Sequence, residues 1–286
     1  MNTFKLRYFK LAIFVFGLLF CLSFSNSEKI YHSATSISVS TPQALWHDLV
    51  TPDLRASKAF YGKVFGWTFK DYNFKGYNHA HIYSNGSLIG GMIEVKAAKS
   101  STWIGSFPVT LEDLKSLKRG IKSKGLKPAL EIVNIPERGQ QIIFESPQGE
   151  EFALILENEM TRSATNKETK NTLFGMELWS SDVKRSKSFY ENAFGVNISK
   201  KEADGQPYWV FADGGVDIAW MITNPVTNQG SQWVPYMKSN NLDASVGAIE
   251  SSSGVVLVKP TEEVRSGKVS IAQDPHGAIF VMQKNN

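Results

Sequence analysis

The chain has 286 residues, of which 42% are hydrophobic, 12% aromatic and 20% charged, a composition that excludes a disordered chain and a polytopic membrane protein. Its formal charge is +4, but Lys5, Arg7 and Lys10 stand without an acid in the first 25 residues, which leaves 28 basic against 27 acidic side chains in the remainder. A body so nearly neutral has no electrostatic footprint for nucleic acid or for an anionic membrane surface.

The basic start runs into the apolar stretch Leu11 to Phe24, which closes on Ser23 and Ser25, small residues at the spacing a signal peptidase recognises. That stretch of 14 residues is short for a membrane span, which takes about 20. Residues 1–25 are therefore expected to be a secretory signal, with no membrane association beyond it, and the protein is expected to be periplasmic or secreted. Cys21 lies inside this segment and is the one cysteine, so the mature body has no thiol nucleophile, disulfide or thiolate metal site. Residues 26–41 are polar and Ser-rich and read as a tether.

An internal repeat organises the rest of the chain. Asp53 to Tyr61 (DLRASKAFY), with Val64-Phe65-Gly66, recurs as Asp182 to Tyr190 (DVKRSKSFY), with Ala193-Phe194-Gly195, at an offset of 129. Trp103 and Trp233 are 130 apart, and Pro147-Gln148-Gly149 and Pro275-His276-Gly277 are 128 apart. The repeat defines two homologous domains, residues 42–157 and 172–286, joined by a polar linker over 158–171.

In each domain a short strand (Ala44 to Val50; Leu173 to Trp179) leads to an acid, Asp53 or Asp182, able to cap a helix. The first helix sets Ala56, Ala59, Phe60 and Val64 on one face and stops at Gly66. Strands joined by tight turns at Asn85-Gly86 and Asp213-Gly214 come next. A second helix carries Leu114, Leu117 and Ile121 before Gly125, or Leu242, Val246 and Ile249 before Gly254. Strand, helix and three strands, twice per domain, make an α+β plan of four βαβββ modules whose strands curl around a groove.

This succession resembles the vicinal oxygen chelate superfamily of glyoxalase I, extradiol dioxygenases and bleomycin-resistance proteins, and within it the tandem glyoxalase-like proteins of the branch related to lactoylglutathione lyase. The resemblance is carried by WHDLVTPDLRASKAFYGKVFGW, by Ile89-Gly-Gly-Met92, by the tryptophan opening each second module, and by SPQGEEFAL and DPHGAIFVM. It implies two tandem chelate domains and, in the metal enzymes, a His or Gln before the capping Asp, a Glu after the last turn and a ligand where the second module opens. Those positions hold Trp46, Ala153 and Ile104 in domain 1, and Gly175, Val281 and Val234 in domain 2. None offers the lone pairs that a divalent cation takes, so no metal and no cofactor are expected.

Strand alternation turns Trp46, Asp48 and Val50 toward one groove and Gly175, Glu177 and Trp179 toward the other. Asp48 and Glu177 are the candidate catalytic residues, since a carboxylate buried beside aromatic walls can serve as a general base. Held by hydrogen bonds, they would only order the sheet. Trp46, Trp179, Tyr208, Tyr236 and Glu94 are the candidate ligand-binding residues, suited to a flat or apolar molecule. His79 and His81 point to one face of a strand, so a non-standard divalent metal site with Asp48 or Glu94 is the alternative. His47 is expected to pack under the first helix, and His276 to lie at the surface. Neither a nucleophile elbow nor a phosphate loop is present, because Gly90-Gly91 sits in strand context. The expectation is an exported protein binding a small aromatic or amphipathic molecule, with a lyase, isomerase or dioxygenase-type enzyme as the alternative. Its domains are expected to pair within the chain or in a homodimer.

Overall fold

A computed structural model describes residues 46–109, 127–128, 133–135, 139–156 and 172–284, apart from 204, 214, 227–228 and 263. The expected signal, tether and linker, and the helix of Leu114, Leu117 and Ile121, lie outside the described residues.

Domain 1 comprises β1 (Trp46–Thr51), α1 (Leu54–Phe65), β2 (Thr68–Phe74), β3 (Tyr77–Ser84), β4 (Ser87–Glu94), β5 (Thr102–Val109), β6 (Lys127–Pro128), β7 (Val133–Ile135), β8 (Gly139–Glu145) and β9 (Glu151–Leu156). Domain 2 comprises β10 (Leu173–Ser180), α2 (Val183–Phe194), β11 (Asn197–Ala203), β12 (Gln206–Asp213), β13 (Val216–Thr223), β14 (Gln232–Ser239), α3 (Leu242–Glu250), β15 (Val255–Val258), β16 (Val269–Gln273) and β17 (Ile279–Lys284), with a 3-10 turn at Arg265–Gly267. The strand orders correspond: β2-β3-β4-β1-β5-β9-β8-β6, with β7 on β8, against β11-β12-β13-β10-β14-β17-β16-β15. In each sheet the first strand joins the two modules, parallel to the last strand of its own module and antiparallel to the first of the next. This is the α+β plan of tandem βαβββ modules.

Local chemistry fixes the helices as the repeat suggests. Asp53 accepts from the Ala56 N–H at 2.9 Å and Asp182 from the Arg185 N–H at 3.0 Å, which satisfies one free donor at each helix start. Gly66 and Gly195 close the helices at φ 70° and 72°, a conformation that a Cβ disfavours. The Asn85-Gly86 turn forms with both residues at positive φ, as a two-residue hairpin requires. In domain 2 the turn is displaced by one residue. Asp213 pairs with Val216, and Gly215 takes φ 84°.

The apolar faces of the modules meet across the domains. Phe60, Tyr61 and Phe65 of α1 share a core with Leu242, Val246 and Ile249 of α3 and with Phe280 and Met282 of β17. Reciprocally, Ile142, Phe144, Phe152 and Leu154 of domain 1 pack with Tyr190, Ala193 and Met176 of domain 2. Each fully buried aromatic or aliphatic side chain contributes about 1.5–3 kcal/mol, so these shared cores outweigh the helix caps.

The repeated tyrosine and tryptophan place polar groups inside that joint. Trp103 Nε1 donates to the Tyr61 hydroxyl at 3.0 Å, and that hydroxyl donates across the joint to Asp274 at 3.3 Å. Trp233 Nε1 donates to Tyr190 at 3.1 Å, and Tyr190 donates to Glu150 at 2.9 Å. Burial pushes both tyrosines well above their ordinary pKa and raises both carboxyl groups. The last turn of domain 1 also docks on the start of α2, where Gln148 bonds Ser186 and Arg185 donates to the Pro147 carbonyl at 3.1 Å. The matching turn of domain 2 receives the Ser101 N–H on the His276 carbonyl at 2.8 Å. His276 is accordingly half-buried at the joint rather than on the surface.

Candidate functional site

Each sheet has two faces: one packs into the joint, and the other forms a groove. In domain 1 the cross-strand register sets His81, Gly91, Asp48 and Ile104 in one row, and His79 opposite Ile93 in the next. Asp48 is half-buried. Its Oδ1 accepts from the indole N–H of Trp46 at 3.0 Å, and its Oδ2 from Gln141 Nε2 at 3.4 Å. Gln141 also donates to the Ser106 hydroxyl at 3.0 Å, across the floor of the groove. Tyr72 stacks on the His79 ring at 5.0 Å and sits 4.6 Å from that of His81, which in turn meets the Trp46 edge at 6.5 Å. The result is a half-buried carboxylate that accepts from Trp46 and Gln141 beside an aromatic and imidazole wall.

Glu94 is on the other side of the sheet. It pairs with Thr51 and accepts from the Leu54 N–H at 3.3 Å and from Asn78 Nδ2 at 2.9 Å, so it supports the start of α1 and does not join His79 and His81. Because Ile93 is the residue opposite His79, its neighbour must face away. His47 also faces away from the groove, as alternation expects, and it reaches the domain joint. Its ring bonds the Gly175 backbone, it is 2% exposed, and burial lowers its pKa to about 4.

In domain 2 the corresponding carboxylate is closed in. Glu177 is 1% exposed, accepts from Trp179 Nε1 at 2.8 Å and pairs with Arg265 Nη2 at 3.2 Å. Arg265 also donates to the Tyr236 hydroxyl. Burial raises the tyrosine pKa; it would lower that of Arg265, but Tyr236 and Glu177 hold the guanidinium charged. Trp179, Tyr236 and Trp220 are buried in one cluster with Val264 and Val281, and Tyr208 packs on its edge. The proposed site residues of domain 2 are therefore gathered together, in a groove filled by its own side chains.

The positions where the family resemblance places metal ligands do not fit a metal ion. A Cβ on Gly175 would lie 2.8 Å from the Trp220 indole, so that ring occupies the space a ligand there would need. Ala153, Ile104, Val234 and Val281 are buried hydrocarbon, and the Trp46 nitrogen is a donor engaged by Asp48. Among the described residues no group of three or more His, Cys, Asp or Glu side chains could hold a metal ion.

Sequence reasoning missed Gln141 and Arg265. Gln141 lies in a strand where alternation alone could have turned it inward. Arg265 has no such signal, because it enters from a turn whose backbone is left-handed at Arg265 (φ 48°) and Ser266 (φ 49°).

Residues 173–282 match the family model described as the Glyoxalase/Bleomycin resistance protein/Dioxygenase superfamily, and residues 43–78 match the Bleomycin resistance protein-like N-terminal model. Over 246 residues the chain is 25% identical to "Putative glyoxylase CFP32" of Mycobacterium tuberculosis, covering 84% of this chain and 93% of that one. It is 23% identical over 258 residues to the anthracycline biosynthesis protein DauV of Streptomyces sp. (strain C5), covering 82% and 90%. Among solved structures, the 2,3-dioxygenase LapB of Pseudomonas sp. KL28 superposes with a TM-score of 0.59 at 14% identity, over 84% of this chain and 91% of that one. The last likeness is one of fold.

Proposed function

Since the chain belongs to the glyoxalase/bleomycin resistance/dioxygenase superfamily, whose scaffold serves binding and several chemistries alike, we propose that it is an exported protein that binds a small aromatic or amphipathic molecule in the groove of domain 1. The observation that carries this reading is the asymmetry of the two carboxylates. Glu177 is paired with Arg265 and sealed at 1% exposure, whereas Asp48 is half-buried and accepts from Trp46 and Gln141 on the groove face. A partly desolvated carboxylate on an aromatic wall is a recognition point for a ligand that donates a hydrogen bond or carries a positive charge. Similarity to a protein named for anthracycline biosynthesis supports including a polycyclic aromatic compound among the ligands tried. Thermal shift of the mature protein against phenols, aromatic amines and an anthracycline tests the proposal. A stabilising compound whose effect disappears in Asp48→Asn supports it; an effect unchanged in that variant refutes it.

A second reading is favoured by the same geometry. The two bonds from Trp46 and Gln141 fix the direction of the carboxylate, which suits a proton-transfer base acting on a bound carbonyl compound. Turnover of a bound compound that persists in Asp48→Asn would remove that role. Export rests on residues 1–25 and is tested by sequencing the N-terminus of the protein recovered outside the cytoplasm, with Asn26 expected first.

A further inference from the structure

The groove of domain 2 contains a buried charge that ligand binding in domain 1 does not use. Arg265 is 9% exposed. One guanidinium nitrogen faces Glu177 at 3.2 Å, another donates to Tyr236, and its carbon lies 5.4 Å from the Tyr236 ring centroid. Tyr236 opposes both Gly175 and Val281 in the strand register, so the guanidinium is bound beside two of the positions where the family's metal enzymes carry ligands. Glu177 is aimed by Trp179 at 2.8 Å, and the Trp220 indole roofs Gly175. The Arg265 Nε is buried without a hydrogen-bond partner among the described residues. A carboxylate, a phenol and an aromatic wall arranged around a flat cation are what a guanidinium requires and a compact ammonium uses poorly. The turn that delivers the side chain is left-handed at two non-glycine residues, Arg265 and Ser266, a conformation held only when the surroundings demand it.

We infer that the groove of domain 2 is a binding site for a planar cation of the guanidinium class, filled in this chain by its own Arg265 side chain. Glu177, Tyr236 and Trp179 form the site, and the turn at residues 264–267 is the strap that fills it. Removal of the side chain leaves a site for an external alkylguanidinium.

The test is thermal unfolding of the full mature chain as Arg265→Ala, with millimolar ethylguanidinium and, separately, ethylammonium. The expected result is a saturable rise in the melting temperature of Arg265→Ala with ethylguanidinium, a smaller one with ethylammonium, and none in the wild type, whose site is filled. Absence of a rise in Arg265→Ala, an equal rise in the wild type, or an equal rise in Arg265→Ala/Glu177→Gln overturns the inference. Should Arg265→Ala not fold, Arg265→Met is compared with Arg265→Met/Glu177→Met. A double variant more stable than the single one supports a site built around the paired charges, and a double variant equally or less stable overturns it.

Discussion

His47 makes the domain joint sensitive to acid. Its ring is buried against Gly175 and its pKa is lowered to about 4, whereas an unfolded histidine titrates near 6.5. Below pH 6.5 the unfolded chain takes up a proton that the native chain refuses, so stability is fully present above that pH and is lost as the pH falls toward 4. The full window is worth about 3 kcal/mol, of which about 2.5 kcal/mol has gone by pH 4.5. Asp274 and Glu150 have raised pKa values through burial and so act in the opposite direction in acid. A comparison with His47→Gln cancels their contribution. Urea unfolding followed by tryptophan fluorescence at pH 7.5 and 4.5 should show the wild type losing about 2.5 kcal/mol more than the variant between those values. Equal losses in the two proteins would refute the assignment of the buried neutral imidazole to the joint.

Three further outcomes are expected. Tyr190→Phe leaves the Trp233 N–H and Glu150 short of a buried partner and should cost about 1–3 kcal/mol in urea unfolding; Tyr61→Phe should behave alike through Trp103 and Asp274. Gly105→Val forces a Cβ to within 2.9 Å of Met176 across the joint. It should cost about 1–3 kcal/mol, part of which Met176→Ala restores in the double variant. Arg265→Met strands Glu177 at 1% exposure and should lower the stability by about 3–5 kcal/mol, read from the same denaturation curves.

The fold was legible because its signals are local and occur twice. Asp53 and Gly66, repeated as Asp182 and Gly195, mark helix ends by their own backbone chemistry, and Asn85-Gly86 marks a hairpin. Alternation also placed Trp46, Asp48, Glu177 and Trp179 on groove faces. The groups that meet those residues were not legible, since they come from elements distant in sequence. Arg265 reaches Glu177 across 88 positions, and Asp274 meets Tyr61 across 213. Glu94 looked like a companion of His79 and His81 because strand register, which turns it away, is not written in a single strand. In the sequence the repeated Tyr and Trp mark only the repeat, and the structure makes them the polar centre of the joint.

The proposed function requires one small-molecule groove per chain, in domain 1, anchored by Asp48. Calorimetric titration of the mature protein with the strongest ligand from the thermal-shift panel tests it, with Asp48→Asn as the comparison. The expected result is one site per chain, weakened by about 10- to 150-fold in the variant, the range for a hydrogen bond to a charged group. Two equivalent sites per chain, or full affinity in Asp48→Asn, would contradict it.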